Sequence, residues 1–99
     1  MVSGPAATPL DIQHEAAAHR FVARIGGVEA VLEYAAVDFK TLDYHHTFVP
    51  PALRGGGVAS QLTEYALRYA RDNGFKVRST CPFVARYLTR HPEFRPLIG

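Results

Sequence analysis

The chain has 99 residues, 47% of them hydrophobic and 20% charged, a formal net charge of +2 and one cysteine. That length holds a single domain with one core, and the composition is that of a folded globule rather than a disordered tail. No apolar run is long enough to cross a bilayer and the first residues lack the basic start and apolar stretch of a secretion signal, so a soluble, cytoplasmic protein is expected; Cys81 alone excludes an intrachain disulfide and a multi-cysteine zinc site.

Residues 1–12 are rich in Ala, Pro, Gly and Thr without sustained periodicity and read as a poorly ordered lead-in, with one domain over 13–99. From residue 19 the pattern becomes extended. Phe21, Ala23 and Ile25 share one face at period two, Gly26 and Gly27 supply the positive backbone angles of a tight hairpin turn, and residues 28–34 form the return strand. A third extended run covers 41–49, beyond Asp38, Phe39 and Lys40. An antiparallel meander of three strands follows.

Pro50 and Pro51 end that run, and Arg54, Gly55, Gly56 and Gly57 lead into a helix over 58–73. Val58, Leu62, Tyr65, Ala66 and Tyr69 recur at spacings of three and four and define its apolar stripe, with Glu64 and Arg68 set for an i,i+4 pair. Asn73-Gly74 stops the helix. Residues 75–80 alternate again, and Cys81-Pro82 opens a second helix near Phe83 that carries Val84, Tyr87 and Leu88 and ends before Pro92. Strand, glycine-opened helix and strand make a βαβ crossover, so the strand after the helix returns parallel to the one before it. The fold class is mixed α/β: an N-terminal antiparallel meander, the crossover, and a short C-terminal helix.

The glycine run carries the chemistry. Glycines at a strand-to-helix junction let backbone approach an anion while free amides and the positive end of the helix dipole point at it, which suits a phosphate-bearing ligand. Charge is divided accordingly: residues 1–49 carry three basic and six acidic side chains, whereas residues 50–99 carry eight basic and three acidic. A P-loop needs Gly-Lys-Ser/Thr at its end, and no lysine occurs here. A dinucleotide fingerprint wants glycine where Ser60 stands and an acidic residue near Ser79, Thr80 and Cys81.

The sequence Arg54, Gly55-Gly56, Gly57, Val58, Ala59 resembles instead the acyl-CoA pyrophosphate loop of the GNAT superfamily of N-acetyltransferases. The resemblance extends through the helix to Cys81-Pro82-Phe83 and His91-Pro92-Glu93, and is to the small, minimal acetyltransferase-like branch of that superfamily. It implies a GNAT-like fold and acetyl-CoA or CoA as cofactor. The amides of Gly55, Gly56, Gly57, Val58, Ala59 and Ser60 would hold the pyrophosphate, Arg54 would lie close to it, and the backbone of Phe48 and Val49 would align the pantetheine arm.

Acetyl transfer to an amine needs a neutral amine, donors for the developing oxyanion and a proton for the departing thiolate. Cys81 follows the second crossover strand at a helix N-terminus, where the dipole favours negative charge. That strand end lies beside the strand ending at Val49, so His46 and Cys81 can meet across the cleft. A histidine before the loop and a cysteine after the crossover are also the active-site pair that the resemblance implies. Cys81 would act as nucleophile with His46 as base, or as the acid that protonates the leaving thiolate; buried packing for Cys81 and a structural histidine are the alternatives. By strand alternation His45 and His46 point to opposite faces, and His46 shares its face with Tyr44 and Phe48. No metal site is expected, because adjacent strand residues cannot both aim at one ion. Tyr87 lies in the helix where many family members carry a tyrosine acid, but His91-Pro92-Glu93-Phe94 replaces their usual Gly-Phe pair, and core packing is the simpler role.

The sequence therefore reads as an acetyl-CoA-dependent N-acetyltransferase acting on an unidentified amine, a small molecule or a protein lysine or N-terminus. The alternative is a CoA-binding or interaction protein without efficient transfer. Gly26-Gly27 leaves no room for the acceptor-binding helices that typical family members place between their first strands. A nucleic-acid partner is disfavoured, since Glu64 and Asp72 interrupt the basic helix and there is no aromatic stacking platform.

Overall fold

A computed structural model of the chain describes residues 11–98, so the lead-in expected over residues 1–10 lies outside the described residues. One five-stranded sheet runs in the order β1 (Asp11–Glu15), β2 (Arg20–Ile25), β3 (Val28–Asp38), β4 (Thr41–Phe48) and β5 (Lys76–Ser79). The first four strands pair antiparallel and β5 lies parallel to β4. Between β4 and β5 runs α1 (Val58–Asp72), and α2 (Pro82–Arg90) follows β5. Among the described residues no helix is long and apolar enough to cross a membrane.

The expected meander is present and gains a strand. Asp11 and Ile12, placed in the lead-in by composition, belong to β1, which pairs Ile12 with Ala23 and His14 with Phe21. Only Ile12 is strongly apolar in those five residues, too little for periodicity to register. The β2–β3 turn has Gly26 at φ 56° and Gly27 at φ 81°, the two positive angles of a type I′ hairpin.

Cross-strand partners place Phe21, Ala23, Ala30, Leu32, Tyr34, Leu42, Tyr44 and Val77 on one face, and both helices pack their buried side chains into this same cluster. The Tyr44 hydroxyl donates to the Ala66 carbonyl of α1 at 2.5 Å, and burial pushes its ionisation far above the ordinary tyrosine range. The buried face of α1 is broader than the expected stripe. Thr63, Leu67 and Ala70 join Val58, Leu62 and Ala66, whereas Tyr65 remains 41% exposed. Thr63 is accommodated because its hydroxyl donates to the Ala59 carbonyl at 2.8 Å. The opposite sheet face carries a cross-strand row of Glu15, Arg20, Glu33 and His46.

Two features position the site. The β4–β5 ladder covers only Thr41 to Tyr44, closed by the Cys81 amide on the Tyr44 carbonyl at 3.3 Å. Past that point β5 has ended and β4 continues through His45–Phe48 paired to β3 alone, so a wedge opens between the free edge of β4 and the start of α2. The second feature is a β-bulge in β4: Tyr34 pairs with Tyr44 but Glu33 pairs with His46, leaving His45 as the extra residue.

Candidate active site

The bulge decides which side chains face the wedge. Thr47 pairs with Leu32 and therefore looks into the core face, as Tyr44 does. His45 and His46, lying between two inward residues, both turn to the opposite face, and both are exposed. The expected alternation, with His46 on the face of Tyr44 and His45 opposite, is thereby corrected: an extra residue shifts the parity of everything after it. His46 keeps Phe48 as a same-face neighbour and has Glu33 across the strand. The structure does not bring His46 to Cys81.

Thr47 takes that place. Its hydroxyl lies 3.6 Å from the Cys81 sulfur, across the mouth of the wedge. Cys81 is only 6% exposed and forms the N-cap of α2 with extended backbone, while Pro82 occupies the first turn of the helix. The segment is tied to β4 from both faces. The Ser79 hydroxyl donates to the Tyr44 carbonyl at 3.3 Å, and the Thr80 amide donates to the Asp43 carboxylate at 3.2 Å. Thr47 escaped sequence reasoning, because nothing within the strand itself marks His45 as an extra residue; the bulge is set by the pairing with β3.

At the other end of the wedge the glycine run forms a loop. Pro51–Leu53 makes one 3-10 turn, Gly55 has φ 86° and Gly57, the N-cap of α1, has φ 76°. A Cβ at Gly55 or Gly57 would meet nothing within 4 Å, so these glycines serve backbone angle and not space. The first main-chain bond of α1 runs from Gln61 to the Gly57 carbonyl, no side chain caps the helix, and its first turn holds no acidic residue. The amides of Val58, Ala59 and Ser60 thus have no intrahelical acceptor. They border a cavity of about 230 Å³ that also takes in Val49, Leu53, Arg54, Gly55 and Gly57, together with Phe83 of α2. The expected cofactor residues Val49, Arg54, Gly55, Gly57, Val58, Ala59 and Ser60 therefore lie together, with Gly56 in the same loop. Phe48 is 46% exposed, and its side chain is on the far face beside Val31, leaving only its backbone toward the wedge. Arg54 donates from Nε to the Val49 carbonyl at 2.9 Å, bracing the loop against the end of β4. Leu53 and Phe83 were not legible as lining residues, because nothing in α2 alone shows that it packs beside the N-terminus of α1.

Tyr87 stands apart from the wedge. It is buried, stacks on His91 with ring centroids 3.8 Å apart, and burial raises its hydroxyl above the ordinary tyrosine range, with Glu64 and Glu93 adding to the shift.

A parallel strand that ends short of its partner, a bulge on the longer one and a glycine loop opening the crossover helix make up the site, and the chain belongs to the GCN5-related N-acetyltransferase family, whose model matches residues 20–97. Among its relatives is the chicken protein NATD1, 33% identical over 86 residues that span 85% of this chain and 78% of the chicken protein. The human NATD1 protein is also 33% identical, over 85% of this chain and 76% of its own length. The solution structure of a GCN5-like protein from Staphylococcus aureus superposes with a TM-score of 0.72 at 23% identity, covering 93% of this chain and 90% of that one, and shares the fold.

Proposed function

We propose that this protein is an acetyl-CoA-dependent N-acetyltransferase that holds its cofactor between the glycine loop and the wedge. The observation that carries the reading is the N-terminus of α1: three amides with no intrahelical acceptor, no side-chain cap, no acidic residue in the first turn, and a cavity lined by the same residues. Family membership supports the same activity class.

When bound, acetyl-CoA supplies an acetyl group already activated as a thioester. The residues of this chain do the rest. Val58, Ala59 and Ser60 donate their amides to the pyrophosphate, and Gly55 and Gly57 hold the loop open for its approach. The edge of β4 from His45 to Phe48, unpaired on the β5 side, offers backbone groups to the amide-bearing pantetheine arm. Cys81 sits where that edge meets α2 and is the residue proposed to act on the thioester. It either donates a proton to the departing CoA thiolate during direct transfer, or accepts the acetyl group as the thioester bond to CoA breaks, its own proton passing to the departing thiolate, and then yields the acetyl group to the amine; Thr47 orients its sulfur in both cases. His46, on the far face, is not assigned the base. The acceptor is an amine reached from the wedge; the β1–β2 and β2–β3 connections, a 3-10 turn and two glycines, add no helix over it.

The test measures CoA binding by calorimetry and thiol release from acetyl-CoA in the presence of lysine peptides, peptides with free N-termini and small primary amines. Binding with turnover supports transfer. Binding with no turnover on any of these acceptors moves the protein to the CoA-binding class without efficient transferase activity, and absence of binding overturns the reading. Intact mass after incubation with acetyl-CoA separates the two roles of Cys81: an adduct lost in Cys81→Ala marks a nucleophile, and turnover without one marks direct transfer.

A further inference from the structure

Beside the glycine loop lies a second, smaller cavity of about 100 Å³, bounded by Ser60 of α1, Phe83, Arg86, Tyr87 and Arg90 of α2, and His91. Ser60 and Phe83 also border the glycine-loop cavity, so the two are contiguous around the N-terminus of α1. Arg86 and Arg90 are four residues apart on one ridge of α2, both exposed, and neither has an ion-pair or hydrogen-bond partner among the described residues. Two like charges at this spacing repel each other on a helix. The nearby carboxylates do not relieve them: Glu64 is taken by Arg68 at 2.7 Å, and Glu93 lies 3.7 Å from the Nδ1 atom of His91.

We infer that Arg86 and Arg90 form a phosphomonoester site that recognises the ribose 3′-phosphate of coenzyme A. This rests on the cofactor reading above and adds which form of the cofactor is selected. The α1 amides account for one anion, the pyrophosphate, and a ligand lying across both cavities brings a second anion to α2. That second anion is a phosphomonoester, more highly charged than either group of a diphosphate diester, and paired guanidinium forks are the side chains best matched to it. The two arginines lie outside the loop pattern that marks the family in this sequence, so the site is a property of the α2 surface of this chain.

The test is calorimetric titration of the wild-type protein with CoA and with 3′-dephospho-CoA, which differ only in that phosphate, repeated on Arg86→Gln/Arg90→Gln and on Arg78→Gln. Arg78 is an exposed arginine of β5 that borders neither cavity, and its variant controls for general charge. Both arginines of the double variant are exposed, and its circular dichroism is expected to match wild type. The wild type is expected to favour CoA by about 10-fold or more, the scale of a charge-assisted contact. The double variant should bind both ligands alike, near the wild-type affinity for 3′-dephospho-CoA, and Arg78→Gln should keep the preference. Equal wild-type affinities, or a preference that survives the double substitution, overturn the 3′-phosphate site and leave the cofactor reading standing. If the wild type binds neither ligand, both fall together.

Discussion

The first three strands and the end of the molecule around α1 and α2 treat their polar groups in opposite ways. On β1 to β3 both arginines are paired: Arg20 bonds Glu15 at 2.6 Å, and Arg24 bridges Glu15 at 2.9 Å and Glu29 at 2.7 Å. Around the loop, backbone and side-chain donors are left open. The first amides of α1 are uncapped, the β4 edge beyond Tyr44 has no β5 partner, and Arg86 and Arg90 have no carboxylate. Unspent donors cost a small protein stability, and they persist where a ligand completes them. The meander pairs its arginines internally, and the glycine-loop end keeps the open donors that the proposed function assigns to an anion.

That division is sharpest in two substitutions. Phe21 is fully buried on β2, with the His14 ring stacked 4.4 Å away and Tyr34, Tyr44, Tyr65 and Tyr69 around it. Phe21→Ala should cost about 3–5 kcal/mol, enough to approach the whole stability of so small a domain, read as a large fall in the urea midpoint. Gly57→Val should do the reverse. A β-branched residue at φ 76° costs about 1–2 kcal/mol in strain, so the variant remains folded by circular dichroism. Its CoA affinity should fall about 100-fold or more, because the amides that follow Gly57 are turned away from the ligand. Unchanged affinity in folded Gly57→Val would separate the loop from the cofactor.

The smaller test concerns β4, where the bulge sends neighbours to different regions. Thr47→Val keeps the shape and removes the hydroxyl 3.6 Å from Cys81, and should lower kcat several-fold with CoA affinity unchanged. His46→Ala, on the far face, should leave kcat within about 2-fold of wild type. Loss of turnover in His46→Ala with Thr47→Val unaffected would restore the histidine–cysteine pairing and contradict the register.

Much of this molecule is legible in the sequence where one physical cue dominates. Gly26-Gly27, the stop at Asn73-Gly74 and Pro82 at the start of α2 each force a local backbone choice, and period-two and period-3.6 patterns fill in what lies between. The glycine loop is legible because Gly55 and Gly57 are needed for positive angles. What escapes depends on partners distant in sequence. β1 is a strand only because β2 offers it an edge. The bulge at His45 is fixed by pairing with β3, and a single strand read at strict period two assigns every later side chain to the wrong face. Arg86 and Arg90 read as ordinary solvated charge until α2 is seen beside the N-terminus of α1.

The smallest expected effect lies inside the meander, at its one half-buried histidine. His14 sits on the core face, its Nε2 2.6 Å from the Tyr34 hydroxyl and its ring edge-on to Tyr69 at 4.4 Å. Burial is the main cause that lowers its proton affinity below the ordinary imidazole value, and the neighbouring His19 adds to it. The unfolded chain, with His14 near the usual value of about 6.5, then binds the proton more readily than the folded one. Stability from this residue is present above that pH and is lost as pH falls toward the folded-state value. Urea midpoints at about pH 7.5 and 5.5 should therefore show the wild type weaker in acid, with the slope flattened in His14→Gln, which keeps a polar group near Tyr34 but cannot titrate. An equal slope in both proteins would assign the acid sensitivity to charges elsewhere and make His14 an aromatic packing residue only.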